Sequence, residues 1–227
     1  MPSTGWLVLA VAAGTVAVGA FSVFGLGTAA GADQTRLSLS GAYLGQVAVV
    51  ALAALAVTTE YDTGMIRGTL AAAPRRGRVL AGKAFAVTAV TLCAGALGVA
   101  GSYLCARLAF SPGPALMWRP HAGTVLYLGL IGLLTLGLAL IIRHTGGTIT
   151  VVLSLLFTVP ATAALITDPV WRERILRVAP MTAGLAIQAT TDLDALPIAP
   201  WAGLGVLAGY AGGALVVGTM LFLRRDA

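Results

Sequence analysis

The chain has 227 residues, 58 % of them hydrophobic and only 10 % charged, with a mean hydropathy of +0.94. Soluble domains carry about 25 % charged residues, so this composition excludes a water-soluble fold. The net charge of +6 comes from thirteen arginines and one lysine; in a soluble chain it would point to nucleic acid, but here the basic residues sit between apolar stretches and loop position accounts for them.

A helix needs roughly 20 apolar residues to cross a hydrocarbon core of ~30 Å, since lipid offers no partner to an unsatisfied backbone amide. Six stretches of the chain meet that length. The first covers residues 6–29; it lacks a basic start and is too long for the core of a signal peptide, so it reads as a retained span. A polar link over 31–38 leads to the second span, 39–59. Residues 60–83 then form a loop with Arg67, Arg75, Arg76, Arg78 and Lys83, the most basic part of the chain.

Span three is expected over 84–108 and holds both cysteines, Cys93 and Cys105. On one helix they stand roughly 18 Å apart, which precludes their pairing, so they read as small packing residues. A proline-rich link with Pro112, Pro114, Trp118 and Pro120 precedes span four, 123–142. Arg143 to Gly147 make a tight turn into span five, 148–167, where Pro160 predicts a kink. The loop 168–200 is partly apolar. In it Trp171, Ile175 and Val178 fall at helical spacing among Arg172, Glu173, Arg174 and Arg177, the pattern of an amphipathic helix in a membrane interface. Residues 183–189 read as a second short helix, the two forming either a partial membrane hairpin or a surface loop. Span six covers 201–223.

Counting basic residues in alternate loops orients the chain, because such segments stay on the cytoplasmic side. One side collects eight, in the loop 60–83, at Arg143 and at Arg224 and Arg225; the other has six. Both termini are therefore placed in the cytoplasm and the loop 168–200 outside, in a single transmembrane domain over 1–227. Trp6, Trp118, Trp171 and Trp201 fit an interfacial aromatic belt. No internal repeat is visible.

Several motifs fail on their chemistry. Gly77 to Ala84 is one residue short of a phosphate-binding loop, since Ala84 stands where a Ser or Thr would ligate magnesium. Residues 39–42 only superficially resemble an ABC signature motif. Ser102, His121 and His144 do not converge on one depth, which removes the pieces of an intramembrane hydrolase. Every Asp and Glu falls at a span end or in a loop, so the membrane-centre acids that mark ion coupling are missing. Gly205, Gly209 and Gly213 form overlapping G-x-x-x-G steps on one face of span six, and Gly27 and Gly31 another at the end of span one. Such faces serve helix packing within the chain or dimerisation with a second subunit.

At the loop 60–83 the sequence resembles the ABC-2 family of bacterial permeases. The likeness is carried by Glu60, Tyr61, Gly64, Arg67, Thr69, Leu70, Pro74, Arg75, Arg76 and Lys83, and the coupling loop that it implies also takes in Asp62. A second point lies in residues 179–187, where Pro180, Ala183, Gly184 and Ile187 look like the P-x-x-A-G-x-A-I segment of the family's last external loop. The chain departs from the family at its start, where members have a cytoplasmic amphipathic helix before span one.

The resemblance implies an all-α integral membrane protein with six transmembrane helices in the ABC-2, type V exporter-like permease fold. It implies a coupling helix around residues 62–73 that docks on a separate ATP-binding subunit, present in two copies, and a second permease copy or paralogue. ATP and Mg2+ would belong to that partner, with no cofactor or metal on this chain, no catalytic residues and no nucleic acid partner. The expected location is the bacterial cytoplasmic membrane, in contact with its lipid, and the expected role is outward movement of a hydrophobic or amphipathic solute such as a drug, lipid or antimicrobial peptide. The alternative is an ATPase-independent membrane protein, a secondary carrier or an assembly scaffold.

Overall fold

A computed structural model describes Gly14 and residues 33–62, 76–109 and 117–224. Among the described residues every regular element is helical. Five helices among the described residues are long and apolar enough to cross a membrane: Thr35–Thr59, Leu80–Leu108, Trp118–Ile142, Thr145–Ala164 and Pro200–Arg224. The chain is an all-α, multi-pass membrane protein. The span expected over 6–29, with Gly27 and Gly31, lies outside the described residues.

The helices start earlier than hydropathy alone places them, and at Gln34 a side-chain cap explains why. The polar link expected over 31–38 is helical from residue 34: Asp33 Oδ1 accepts the Arg36 amide at 2.9 Å and opens α1, Gln34–Ser38. A 3-10 turn, Leu39–Gly41, joins it to α2, Ala42–Asp62. Helix α3, Arg76–Ala109, has 34 residues and a length of about 51 Å, well beyond the hydrocarbon core. Residues 76–83, assigned to the loop by their charge, therefore belong to the helix; Arg, Lys, Leu and Ala are strong helix formers that a hydropathy window penalises for charge alone. Cys93 is exposed and Cys105 half-buried, so Cys93 is not the packing residue expected of it.

Helix α4, Trp118–Ile142, begins five residues before the expected position 123 and has Pro120 in its first turn, where the missing amide costs nothing. It ends on Arg143 in the left-handed region at φ 58°, whose amide donates to Ala139 O at 2.9 Å. His144 caps the next helix, its Nδ1 accepting the Gly147 amide at 3.0 Å. The fifth span has three parts: α5, Thr145–Leu153; a π-turn, Ser154–Thr158; and α6, Val159–Ala164. The turn ends two residues before Pro160. A carbonyl deprived of its α-helical partner by proline can reach the amide one residue further on in i→i+5 geometry.

Asp168 caps α7, Pro169–Val178, by accepting the Val170 amide at 2.8 Å. Then follow α8, Pro180–Leu185, a 3-10 turn, Ala186–Gln188, and finally α9, Pro200–Arg224. Helix α4 is the axis of the bundle. In α2 and α4, 61 % of the most apolar window is buried, against 22 % in the fifth span and in α9, so those two present most of their surface outward.

Tyr127, Leu128, Ile131 and Leu134 of α4 pack with Val49 and Val50 of α2, Val152 of α5 and Leu204 and Leu207 of α9. A second cluster joins Val57, Leu80, Leu136, Leu140 and Phe222 at the other end. Helices α4 and α9 approach backbone to backbone. A Cβ on Gly137 would lie 2.6 Å from the carbonyl carbon of Ala214, and one on Gly218 2.6 Å from Gly137 O.

Candidate functional site

The chain folds back into its own bundle between α7 and α9. Residues from Ala179 to Ala189 are buried, apart from half-buried Thr182. Small and apolar side chains make this entry possible: a Cβ on Gly184 would lie 2.7 Å from the Tyr127 ring, one on Gly123 2.1 Å from Ile187 Cγ1, and one on Gly203 1.9 Å from Ala183 O. Pro180, Ala183, Gly184 and Ile187 are thereby brought together against α4 and α9. We call residues 179–189 the plug. The second short helix, expected over 183–189, starts instead at Pro180, because proline suits a first helical turn.

A short element at this depth must satisfy its polar groups within the protein, and the plug does so at several points. Ala183 N donates to Ala179 O at 3.0 Å. Ala189 O accepts Arg119 Nη2 at 2.6 Å. Gln188 Nε2 donates to Leu39 O and to Thr124 Oγ1, both at 3.2 Å. Deeper in the core, the Tyr127 hydroxyl donates to Gln46 Oε1, and Gln46 Nε2 donates to Met181 Sδ at 3.5 Å. Both Gln46 and Tyr127 are fully buried.

At the plug's exit, Asp33 accepts the Thr190 amide at 2.6 Å, its hydroxyl at 2.7 Å and the Thr191 amide at 3.4 Å. Burial pushes the Asp33 carboxyl up. The hydrogen bonds from Arg36, Thr190 and Thr191 outweigh that and hold it below the ordinary value of 3.8. One carboxylate thus caps α1 and clamps the returning chain.

None of these polar partners stands out from charge or motif in the sequence. Gln46 and Gln188 are the legible signal: two amides within apolar stretches, each requiring a partner.

At the opposite end of the bundle, Glu60, Tyr61 and Asp62 form the last residues of α2, and Arg76 opens α3. Gly64, Arg67, Thr69, Leu70, Pro74 and Arg75 lie outside the described residues. The two flanking helices are tied here by Lys83 Nζ, which donates to Ala56 O at 3.3 Å, and α2 is tied to α5 by the hydroxyls of Thr58 and Thr145 at 2.6 Å. Gly77 to Ala84 lies wholly inside α3, with its amides in helical geometry rather than in a phosphate-cradling loop.

Gly205, Gly209 and Gly213 are exposed, and a Cβ on any of them would meet nothing within 4 Å among the described residues. The close-packed glycines of α9 are Gly203 and Gly218 instead, so packing within the described bundle does not use the expected face. Gly209 and Gly213, with Leu134, Leu138, Leu155 and Tyr210, line an open apolar groove of about 580 Å³.

His121 is buried, its Nδ1 2.6 Å from Met117 O and its ring edge-on to Tyr103 at 5.2 Å. His144 is at the far end of α4, so the two histidines share no site. Among the described residues, no group of three His, Cys, Asp or Glu side chains could hold a metal ion.

These features define a polytopic helical membrane protein with a segment returned into its bundle. No protein-family model matches the chain, and no curated protein matches it.

Proposed function

We propose that this chain is the membrane-spanning permease subunit of an ATP-driven exporter of the ABC-2 type, in a bacterial cytoplasmic membrane. It moves a hydrophobic or amphipathic solute outward and works as a pair of permeases with two separate ATP-binding subunits, which carry the ATP and Mg2+. It has no ATPase site of its own. The observation that carries the reading is the pairing of the family-like loop residues with their setting: helix α2 runs to Asp62 and α3 starts at Arg76, so both continue past their apolar windows, which end at Thr59 and start at Leu80. Continuous helices on both sides of a loop convert a push on that loop into a tilt of the spans.

The reading predicts that an ATP-binding subunit is encoded beside this chain, and it is tested by co-expressing the two, followed by co-purification and solute-stimulated ATPase assays. The two are expected to purify together, and the purified chain alone to hydrolyse no ATP. Arg67→Glu combined with Thr69→Pro should uncouple ATP hydrolysis from transport while the protein stays in the membrane. Unchanged transport in that variant, or transport without any ATPase, would favour a secondary carrier.

A further inference from the structure

Among the described residues, helix α7 is the one helix of ten residues or more with no residue in the core. Yet it is amphipathic rather than polar all round. Trp171, Val178 and Val170 are 57 %, 55 % and 54 % exposed, and Leu165 just before it is 83 % exposed. At 3.6 residues per turn, Trp171, Ile175 and Val178 share one face. Arg172 and Arg174 border that face on either side, and the Arg174 guanidinium lies over the Trp171 ring at 5.3 Å from its centroid. Arg177 is paired with Glu173 at 2.5 Å on the opposite side.

The chain on either side fixes where this helix sits. The fifth span ends at Ala164 and α7 starts at Pro169, so the four intervening residues reach at most about 14 Å. Val178 is followed directly by Ala179, the first buried residue of the plug. The join is stiff: Ala179 N donates to Ile175 O at 2.9 Å, and Thr182 Oγ1 donates to Leu176 O at 2.8 Å. A helix tethered this closely to two segments at membrane depth lies at the membrane surface.

We propose that α7 is a membrane-surface helix that binds anionic phospholipid and holds the plug by its junction at Ala179. Its apolar face enters the boundary between headgroups and acyl chains, with Trp171 at the depth indole prefers. Arg172 and Arg174 extend from that face to the lipid phosphates. Three arginines against one glutamate make the selection electrostatic. Lipid binding is independent of the exporter reading, and the placement of α7 at the outer leaflet rests on the count of basic residues in alternate loops.

The test uses the full chain in nanodiscs of phosphatidylcholine with or without phosphatidylglycerol. With Trp6, Trp118 and Trp201 replaced by Phe, emission reports Trp171 alone. Phosphatidylcholine brominated near the glycerol end of its chains is expected to quench that emission. Native mass spectrometry is expected to show phosphatidylglycerol retained over phosphatidylcholine, with the preference falling about fivefold for each arginine lost in R172Q and R174Q and returning in R172K/R174K. Trp171 quenched by aqueous acrylamide but not by brominated lipid overturns the proposal, and so does a phosphatidylglycerol preference unchanged in R172Q/R174Q. If the glutamine variants do not purify, the Trp171 quenching with all arginines present decides alone. No ATPase enters these measurements, so their failure leaves the exporter reading intact.

Discussion

Asp33 and Thr190, 157 positions apart, are joined twice, by the Thr190 amide and by its hydroxyl. The pair closes the plug at the end where the chain returns to α9. Asp33→Ala removes both bonds and the α1 cap, leaving the Thr190 donors to partly accessible solvent. Hydrogen bonds to a charged group contribute about 1.5–3 kcal/mol in buried settings; solvent access lowers this, and a loss of about 2 kcal/mol is expected. Thermal unfolding in detergent, with size exclusion as the readout, checks it.

The same carboxylate sets a pH dependence. Its folded value is held below 3.8, so folding favours the ionised form. The stabilisation is present above that ordinary value and is lost as pH falls below it and through the lower folded value. Unfolding midpoints measured between pH 6 and pH 3 should therefore fall more steeply in the native chain than in Asp33→Asn. Parallel curves would remove Asp33 from the account.

Glycine substitutions along α9 separate packing glycines from open ones. A Cβ on Gly203 would sit 1.9 Å from the Ala183 carbonyl oxygen, a backbone atom that moves only with the plug. Gly203→Ala is expected to cost about 3 kcal/mol, the upper range for overpacking. Gly205→Ala meets nothing among the described residues and should be neutral or gain up to about 1 kcal/mol from helix propensity. Two substitutions two residues apart thus differ strongly in unfolding midpoint; equal midpoints would contradict this packing of α9.

This contrast also shows what sequence carries and what it does not. A repeat of glycine every fourth residue marks a face, and hydropathy marks a span, because both are local. Which face meets a neighbour is settled by other helices: Gly137 selects Gly218, and Ala183 selects Gly203. Helix starts were legible only to within a turn or two, since charge at Arg76 and Arg78 lowers hydropathy without opposing helix. The π-turn at Ser154–Thr158 had only Pro160 to announce it. Asp33, Arg119 and Gln188 reach partners 149 or 157 positions away, or 70 in the case of Arg119, and nothing in their own neighbourhoods names those partners.

The Tyr127–Gln46 bond is suited to a double-mutant cycle. Tyr127→Phe leaves a buried amide oxygen without its donor, whereas Gln46→Leu with Tyr127→Phe removes both ends. Hydrogen bonds between membrane helices average about 0.6 kcal/mol and reach about 1.7. The single substitution is expected to cost about 1–2 kcal/mol and the double to recover part of it, giving a coupling of about 1 kcal/mol. Strict additivity would show that the pair contributes packing alone.

Thr191 offers a test of sidedness that does not disturb the plug. Its side chain is exposed, and its link to Asp33 runs through the backbone amide, so Thr191→Cys keeps the clamp. With Cys93 and Cys105 replaced by Ala, a membrane-impermeant maleimide applied to intact cells should label residue 191. A cysteine at Gly146, exposed at the far end of α4, should be labelled only after the membrane is opened. The basic residues at Arg143 and in 60–83 require this arrangement if they are retained in the cytoplasm. Labelling of Gly146→Cys from outside, with Thr191→Cys protected, would invert the protein and with it the direction in which α7 faces.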